Sequence, residues 1–271
     1  MVGTLRDALA LYVRYAGISV RAQLQYRASL AMRALGQLMV TGVEFLGMWA
    51  LFDRFGSLGA WSLAQAAFFY AIADVTFALA DALCRGFDQF APMVKSGDFD
   101  RVLLRPRSTV LQLLGQEVTV MRIGRLVQGV AIMAWATEAA GIDWSAAKIA
   151  LLTGAILSGM CLYLGIILLQ ATSAFWTVEG LEVWNAFTYG GNYASQYPVT
   201  IYRPWFRRVL FVVLPLGCVN YLPAVAILGV PEPLGTPAAL QWAAPLAGVA
   251  FLIAALQVWK LGVRRYASTG S

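Results

Sequence analysis

The sequence contains no histidine, which removes the commonest catalytic base and metal ligand near neutral pH. Cysteine is almost as scarce. Cys84, Cys161 and Cys218 lie far apart with no CxxC spacing, so neither a metal site nor a disulfide framework is indicated, and they read as small apolar fillers. Lysine occurs only at positions 95, 148 and 260, and none of the three follows a GxxxxGK[ST] loop. A chain without that phosphate cradle does not hydrolyse ATP by itself, so any ATP energy must come from another polypeptide. The N-terminal stretch also lacks the short basic start and uninterrupted apolar core of a cleavable signal peptide.

Charge as a whole is sparse, at 13% of 271 residues against 60% hydrophobic, and mean hydropathy is +0.68. Such a chain is an integral membrane protein of the all-α class. Its net charge of +6 sits at the ends of apolar stretches rather than on one polar face, which fits orientation in a bilayer better than nucleic-acid binding.

The longest polar segment between two apolar ones is Cys84 to Arg107, with five basic residues against three acids, and the excess places it on the cytoplasmic side. Within it Phe87, Phe90, Met93, Val94 and Phe99 recur near helical spacing and predict a short helix with one apolar face. Ser96-Gly97-Asp98 reads as a turn, and Arg105-Pro106 imposes an extended residue before the next helix.

Around this segment the spacing predicts an interfacial amphipathic helix over 4–33, with arginines toward the headgroups. Spans follow at about 34–52, containing Glu44, and 61–83, containing Asp74 and Asp81 on one face. A third at 110–136 carries Gln112, Gln116, Glu117, Arg122, Arg125 and Gln128 and is too polar to face lipid all round. A fourth occupies 147–171, where Gly154 and Ser158 form a small-xxx-small pair. Residues 173–182, with Trp176, Glu179 and Glu182, form an inner turn, and an apolar stretch begins at Val183. Seven of the ten prolines fall between Tyr197 and Pro237, so no unbroken helix crosses that region. A last span at about 240–261 ends at Lys260, Arg264 and Arg265, which puts the C-terminus inside.

Two topologies fit. Either 183–200 is a fifth span followed by a re-entrant outer hairpin within 201–237, or 183–197 dips in and returns, leaving Arg203, Arg207 and Arg208 cytoplasmic and 209–228 as the fifth span. The positive-inside rule favours the second.

Two stretches favour the first. Gly97-Asp98-Phe99-Asp100-Arg101-Val102-Leu103-Leu104-Arg105-Pro106 is one. Tyr197-Pro198 with Leu214-Pro215 and Asn220-Tyr221-Leu222-Pro223-Ala224 is the other. With the order of spans around them, they resemble a bacterial subfamily of the type-2 ATP-binding-cassette (ABC) permeases, over nearly the whole chain. The resemblance implies one permease domain over 1–271, six transmembrane helices, both termini cytoplasmic and a place in the bacterial inner membrane. It implies that the segment between spans two and three is a coupling helix entering a groove on an ATPase. Phe87, Gln89, Phe90, Met93, Lys95, Asp98, Asp100 and Arg101 would carry that contact. It further implies that Arg203 through Leu228, with Tyr197, Pro198, Pro215, Asn220 and Pro223 as gate residues, lies outside and helps close the substrate path. The partners would be two ATPase subunits, which hold the ATP and magnesium, and a second permease, identical or related. This chain would hold no cofactor.

Other classes stay open at this point. An ion-gradient transporter or channel would use Glu44, Asp74, Asp81, Glu117 and the arginines as a relay, and a membrane-embedded lipid-modifying enzyme would use Asp74 and Asp81 as paired carboxylates. For the buried charges themselves, the outer tryptophans give a depth ruler. Asp74 lies thirteen residues inward from Trp61 and Arg122 thirteen inward from Trp135, about 20 Å for both at 1.5 Å per residue. The ruler therefore pairs Asp74 with Arg122, with Arg125 sharing the contact.

Overall fold

The computed structural model describes residues 5–177 and 181–266. Part of the expected inner turn over 173–182, including Glu179, lies outside the described residues, as do the extreme ends of the 1–271 domain. Among the described residues the chain is helical and forms no strand.

The N-terminal helix α1 (Leu5–Leu24) ends at a turn over Gln25 and Tyr26, and α2 (Arg27–Phe55) then runs unbroken for 29 residues. This corrects the expected interfacial helix over 4–33. Ala, Leu and Met dominate residues 28–40 and outweigh the single Gly36, so the span begins with Arg27 and Arg33 on its first turns.

The axis of the bundle is α3 (Leu63–Cys84), started by a capping box in which Ser62 and Gln65 exchange side-chain and backbone bonds. Alanine and aromatic residues surround it on all sides, as a fully enclosed helix requires, and Phe68, Phe69, Tyr70 and Phe77 are all buried. It packs on α7 (Ile123–Ala139), α8 (Ala146–Ser173) and α9 (Leu181–Ser195), and reaches α2 through Tyr70, whose hydroxyl donates to the Thr41 carbonyl at 3.2 Å.

The expected third span is not one helix. It consists of α6 (Thr109–Leu114), an irregular stretch, a 3-10 turn at Val120–Arg122 and then α7. The chain breaks at Gly115, where a Cβ would stand 2.6 Å from the Tyr15 ring, and continues through β-branched Val118, Thr119 and Val120. Backbone groups freed near a membrane need partners, and α1 supplies most of them. Ser19 Oγ accepts from the Val118 amide and donates to its carbonyl, each at 3.1 Å. Gln23 Oε1 accepts from the Val120 amide at 3.0 Å, and its Nε2 donates to the Val118 carbonyl. The Thr119 amide donates to the Ala82 carbonyl of α3 at 3.0 Å.

The expected fourth span is present as α8, but its small residues do not act as one pair. Gly154 faces open space, whereas Ser158 packs against Gly248 of α13 (Leu246–Arg265), where a Cβ would meet the Ser158 carbonyl oxygen at 2.1 Å. Ser158 Oγ donates to the Pro245 carbonyl. The expected last span is broken too, with α12 (Ala238–Ala243) separated from α13 at Ala244-Pro245.

The proline-rich region is a bent pair. Pro204–Val213 comprises α10 (Pro204–Arg208) and a π-helical stretch, and Gly217–Leu228 comprises a second π-helical stretch and α11 (Leu222–Leu228); the two limbs meet at 84°. Leu214 leaves the helical region and Pro215 is buried at the corner. Asn220 clasps the second limb to its surroundings, donating to the carbonyls of Phe69 on α3 and Ser195 on α9.

Four helical runs, containing α2, α3, α8 and α13, are long and apolar enough to cross a membrane, and the bent pair makes a fifth if counted as one span. At 17 and 15 residues, α7 and α9 fall short of the roughly 20 that an untilted span needs.

Candidate functional site

The Cys84–Arg107 segment folds as a 3-10 turn (Arg85–Gln89), α4 (Phe90–Ser96) and α5 (Phe99–Leu103). Gly97 ends α4 in the left-handed conformation (φ 76°) that glycine adopts at little cost. The apolar face expected to meet a partner is instead packed inside the chain. Phe87 is 3% exposed, and Phe90 and Phe99 are 0% exposed. They belong to an aromatic cluster with Phe175, Trp259 and Tyr266, in which the Phe90 ring lies 4.9 Å from Trp259 and 5.0 Å from Phe99. Trp259 Nε1 also donates to Thr109 Oγ1 at 3.0 Å. The physical reason is area: the ends of α8 and α13 offer three large rings, and five-residue α5 has no other core to join.

What remains outward is polar. Gln89, Lys95 and Arg101 are exposed, and Met93 is half-buried. Asp98 is half-buried and bonded to Arg101 at 3.3 Å and to Ser96 Oγ at 2.7 Å, while Asp100 is half-buried on α5. Two apolar side chains also project, Leu103 and, at 84% exposed, Leu104.

From this segment a ladder of ions enters the bundle. Arg85 touches Asp88 within the 3-10 turn and Asp81 on α3. Asp81 meets Arg122 at the head of α7, and Arg122 also donates to Gln37 of α2 at 2.6 Å. Deeper, Arg125 meets Asp74 on α3, stands 3.9 Å from Glu44 on α2, and lies 4.9 Å over the Phe77 ring. Glu44 in turn accepts from the Tyr193 hydroxyl of α9 at 3.0 Å. At the segment's end of this path, Arg85 is partly buried between Asp81 and Asp88.

The pairing expected from the depth ruler is therefore corrected. Asp74 meets Arg125, and Arg122 meets Asp81. The ruler assumed one uniform helix, whereas Arg122 sits in the 3-10 turn where α7 begins. There it lies shallow enough to reach the acid nearer the segment, and Arg125, one turn deeper, takes Asp74. Glu44 also comes within reach of Arg125, because a guanidinium presents five donors at the end of a long stem. Glu117, the remaining member of the expected relay, is exposed away from the ladder. Tyr193 and Gln37 were missed by sequence reasoning, since a lone Tyr or Gln in an apolar run carries no signal by itself.

In the proline-rich region Tyr197 is half-buried, Pro198 is buried just before a 3-10 turn at Val199–Ile201, Asn220 is buried, and Pro223 is buried in the first turn of α11. Trp61, at the end of α3 remote from Cys84–Arg107, donates to Thr200 Oγ1 at 2.8 Å. This fixes the approach to the bent pair at that remote end.

Searches of curated proteins and of solved structures returned no match. A family model described as ABC-2 family transporter protein matches residues 38–270, from within α2, about three turns past its start, to beyond the end of α13. The apolar helices, the polar segment after α3 and this match lead to one assignment: the chain is a membrane-embedded member of the ABC-2 transporter family.

Proposed function

We propose that the chain is the membrane-spanning subunit of an ATP-driven exporter in a bacterial inner membrane, providing half of a translocation path. In this reading α2, α3, α7, α8, α9 and the α12–α13 pair are six spans and both termini are cytoplasmic. The bent pair is a re-entrant hairpin on the outer side, with Tyr197, Pro198, Pro215, Asn220 and Pro223 shaping its gate. Two copies of a separate ATPase hold ATP and magnesium, and a second permease, identical or related, completes the path. The observation that carries the reading is the ion ladder. Its shallow group ties the polar segment to α2, α3 and α7 and its deeper group ties α2, α3, α7 and α9 to one another, so a displacement at Arg85 and Asp88 would travel inward through the helices the two groups share.

The docking surface is the outward polar side of the segment rather than its aromatic face. Gln89, Lys95, Arg101 and Leu104 are the contacts, and Phe87, Phe90 and Phe99 make the segment rigid enough to push. Cysteines at Gln89 or Lys95 are expected to crosslink to the ATPase. Lys95→Glu with Arg101→Glu is expected to uncouple ATP hydrolysis from transport while leaving insertion intact. Absence of crosslinks at both sites together with unimpaired transport by the double variant would overturn the docking role.

A further inference from the structure

We propose that the chain binds a phospholipid with a phosphoethanolamine headgroup in a cleft between α1, the start of α2 and the break in the third span. The cleft measures about 740 Å³, within the range of small-molecule sites. It lies at the end of the bundle that carries the Cys84–Arg107 segment, where the arginines interleaved with apolar residues along α1 suit a headgroup region. Its lining holds one cation, Arg33, and one carboxylate, Glu117. Neither makes an ion pair among the described residues.

A second, independent observation points to an occupant. Thr119, 6% exposed, lines the cleft, and its hydroxyl is buried without a hydrogen-bond partner, although its amide is already engaged with Ala82. Buried hydroxyls are almost always paired, and leaving one bare is costly. With its side chain rotated toward the cleft, that hydroxyl would donate to a phosphate oxygen.

The chemistry of the walls selects the ligand. Opposite charges in the lining of one cleft suit a molecule carrying both signs, phosphate toward Arg33 and Thr119, ammonium toward Glu117. A headgroup with a phosphate alone would leave Glu117 facing like charge. Ile18 and Leu30, also in the lining, offer apolar surface for the glycerol and the first acyl carbons. The walls are fixed, because Ser19 and Gln23 are held by the backbone of the break. The site is independent of the exporter reading and survives if that reading fails.

The test uses the full chain in nanodiscs containing equal amounts of phosphatidylethanolamine and phosphatidylglycerol, with retained lipid counted by native mass spectrometry. The parent is expected to retain phosphatidylethanolamine preferentially. Arg33→Gln, Glu117→Gln and Thr119→Val are each expected to lower that retention, the charge changes by roughly tenfold for about 1.4 kcal/mol. Glu117→Gln is expected also to shift the preference toward phosphatidylglycerol. Arg33 and Glu117 are exposed, so their variants should fold, as gel filtration would check. Equal retention of both lipids by the parent, or unchanged retention in all three variants, would overturn the site. Displacement by free glycerophosphoethanolamine would overturn its assignment to a membrane lipid.

Discussion

Asp74 is 0% exposed and Arg125 5% exposed, so each neutralises a charge that the other could not leave bare. Removing one partner of a buried pair costs about 3–5 kcal/mol, whereas replacing both by apolar groups is often neutral. Asp74→Asn and Arg125→Gln should each reduce the yield of folded protein, and Asp74→Leu with Arg125→Leu should recover most of it. The same changes made with Arg122 in place of Arg125 should give no recovery, since Arg122 belongs to Asp81. A thermal-shift assay on the detergent-purified set reads the difference. Only Glu44 would keep an unmet charge in the recovered variant, and Tyr193 still donates to it.

Glu232 offers a test outside the bilayer. It accepts from the Tyr221 hydroxyl at 2.9 Å and from the Thr236 amide at 2.7 Å. Burial opposes its charge, but the bonds from Thr236, Leu234 and Tyr221 outweigh that and hold its pKa below the ordinary glutamate value. A carboxyl with a depressed folded pKa stabilises fully above its unfolded pKa, about 4.3, and that stabilisation is lost as the pH falls through the folded value. Protection of the Thr236 amide, its exchange rate measured against the intrinsic rate, should therefore be strong at neutral pH and show an excess loss as the pH falls through the folded pKa. Glu232→Gln should flatten that excess.

Among the elements, the segment from Arg85 to Leu103 shows why amphipathicity reads as an unfilled interface from sequence alone. A helix with one aromatic face must bury it, but periodicity does not say whether the cover is another protein or the same chain. Here it is Phe175 and Trp259, 76 and 160 residues further on than Phe99, and nothing local announces them. Phe90→Asp should consequently behave as a folding defect, with little protein reaching the membrane. Lys95→Glu should insert normally. Comparable membrane levels for the two, measured by quantitative blotting, would return the aromatic face to the docking surface.

The apolar runs were the legible part. They specified α3 and α8 to within about two residues, because length and hydropathy alone decide where such a helix starts and stops. The break at Gly115 was not legible, since glycine is common within membrane helices and its cause is the Tyr15 ring on another helix. The Asp74 partner was displaced by one turn for the same reason, as depth counted along a straight helix fails where the helix is not straight. Bent Pro204–Leu228 was legible in outline from its prolines, while its 84° corner depends on the Asn220 clasp.

For the whole molecule, Trp61 and Thr200 join the two ends of a long excursion at the face remote from Cys84–Arg107. If that face is outside, a cysteine at Trp205, 63% exposed, should react in intact cells with an impermeant maleimide. Labelling confined to opened cells would place Arg203, Arg207 and Arg208 inside, in line with the positive-inside rule.

The bonds from Ser19 and Gln23 to Val118–Val120 also set an order of events during synthesis. The ribosome makes α1 about a hundred residues before the stretch it completes, so it must wait at the membrane surface with its donors and acceptors in water. The later stretch then arrives with bare peptide groups and finds them met at once. A chain started at Arg27 would thread the same apolar helices through the translocon, but would leave that stretch unsealed and open to the quality-control proteases.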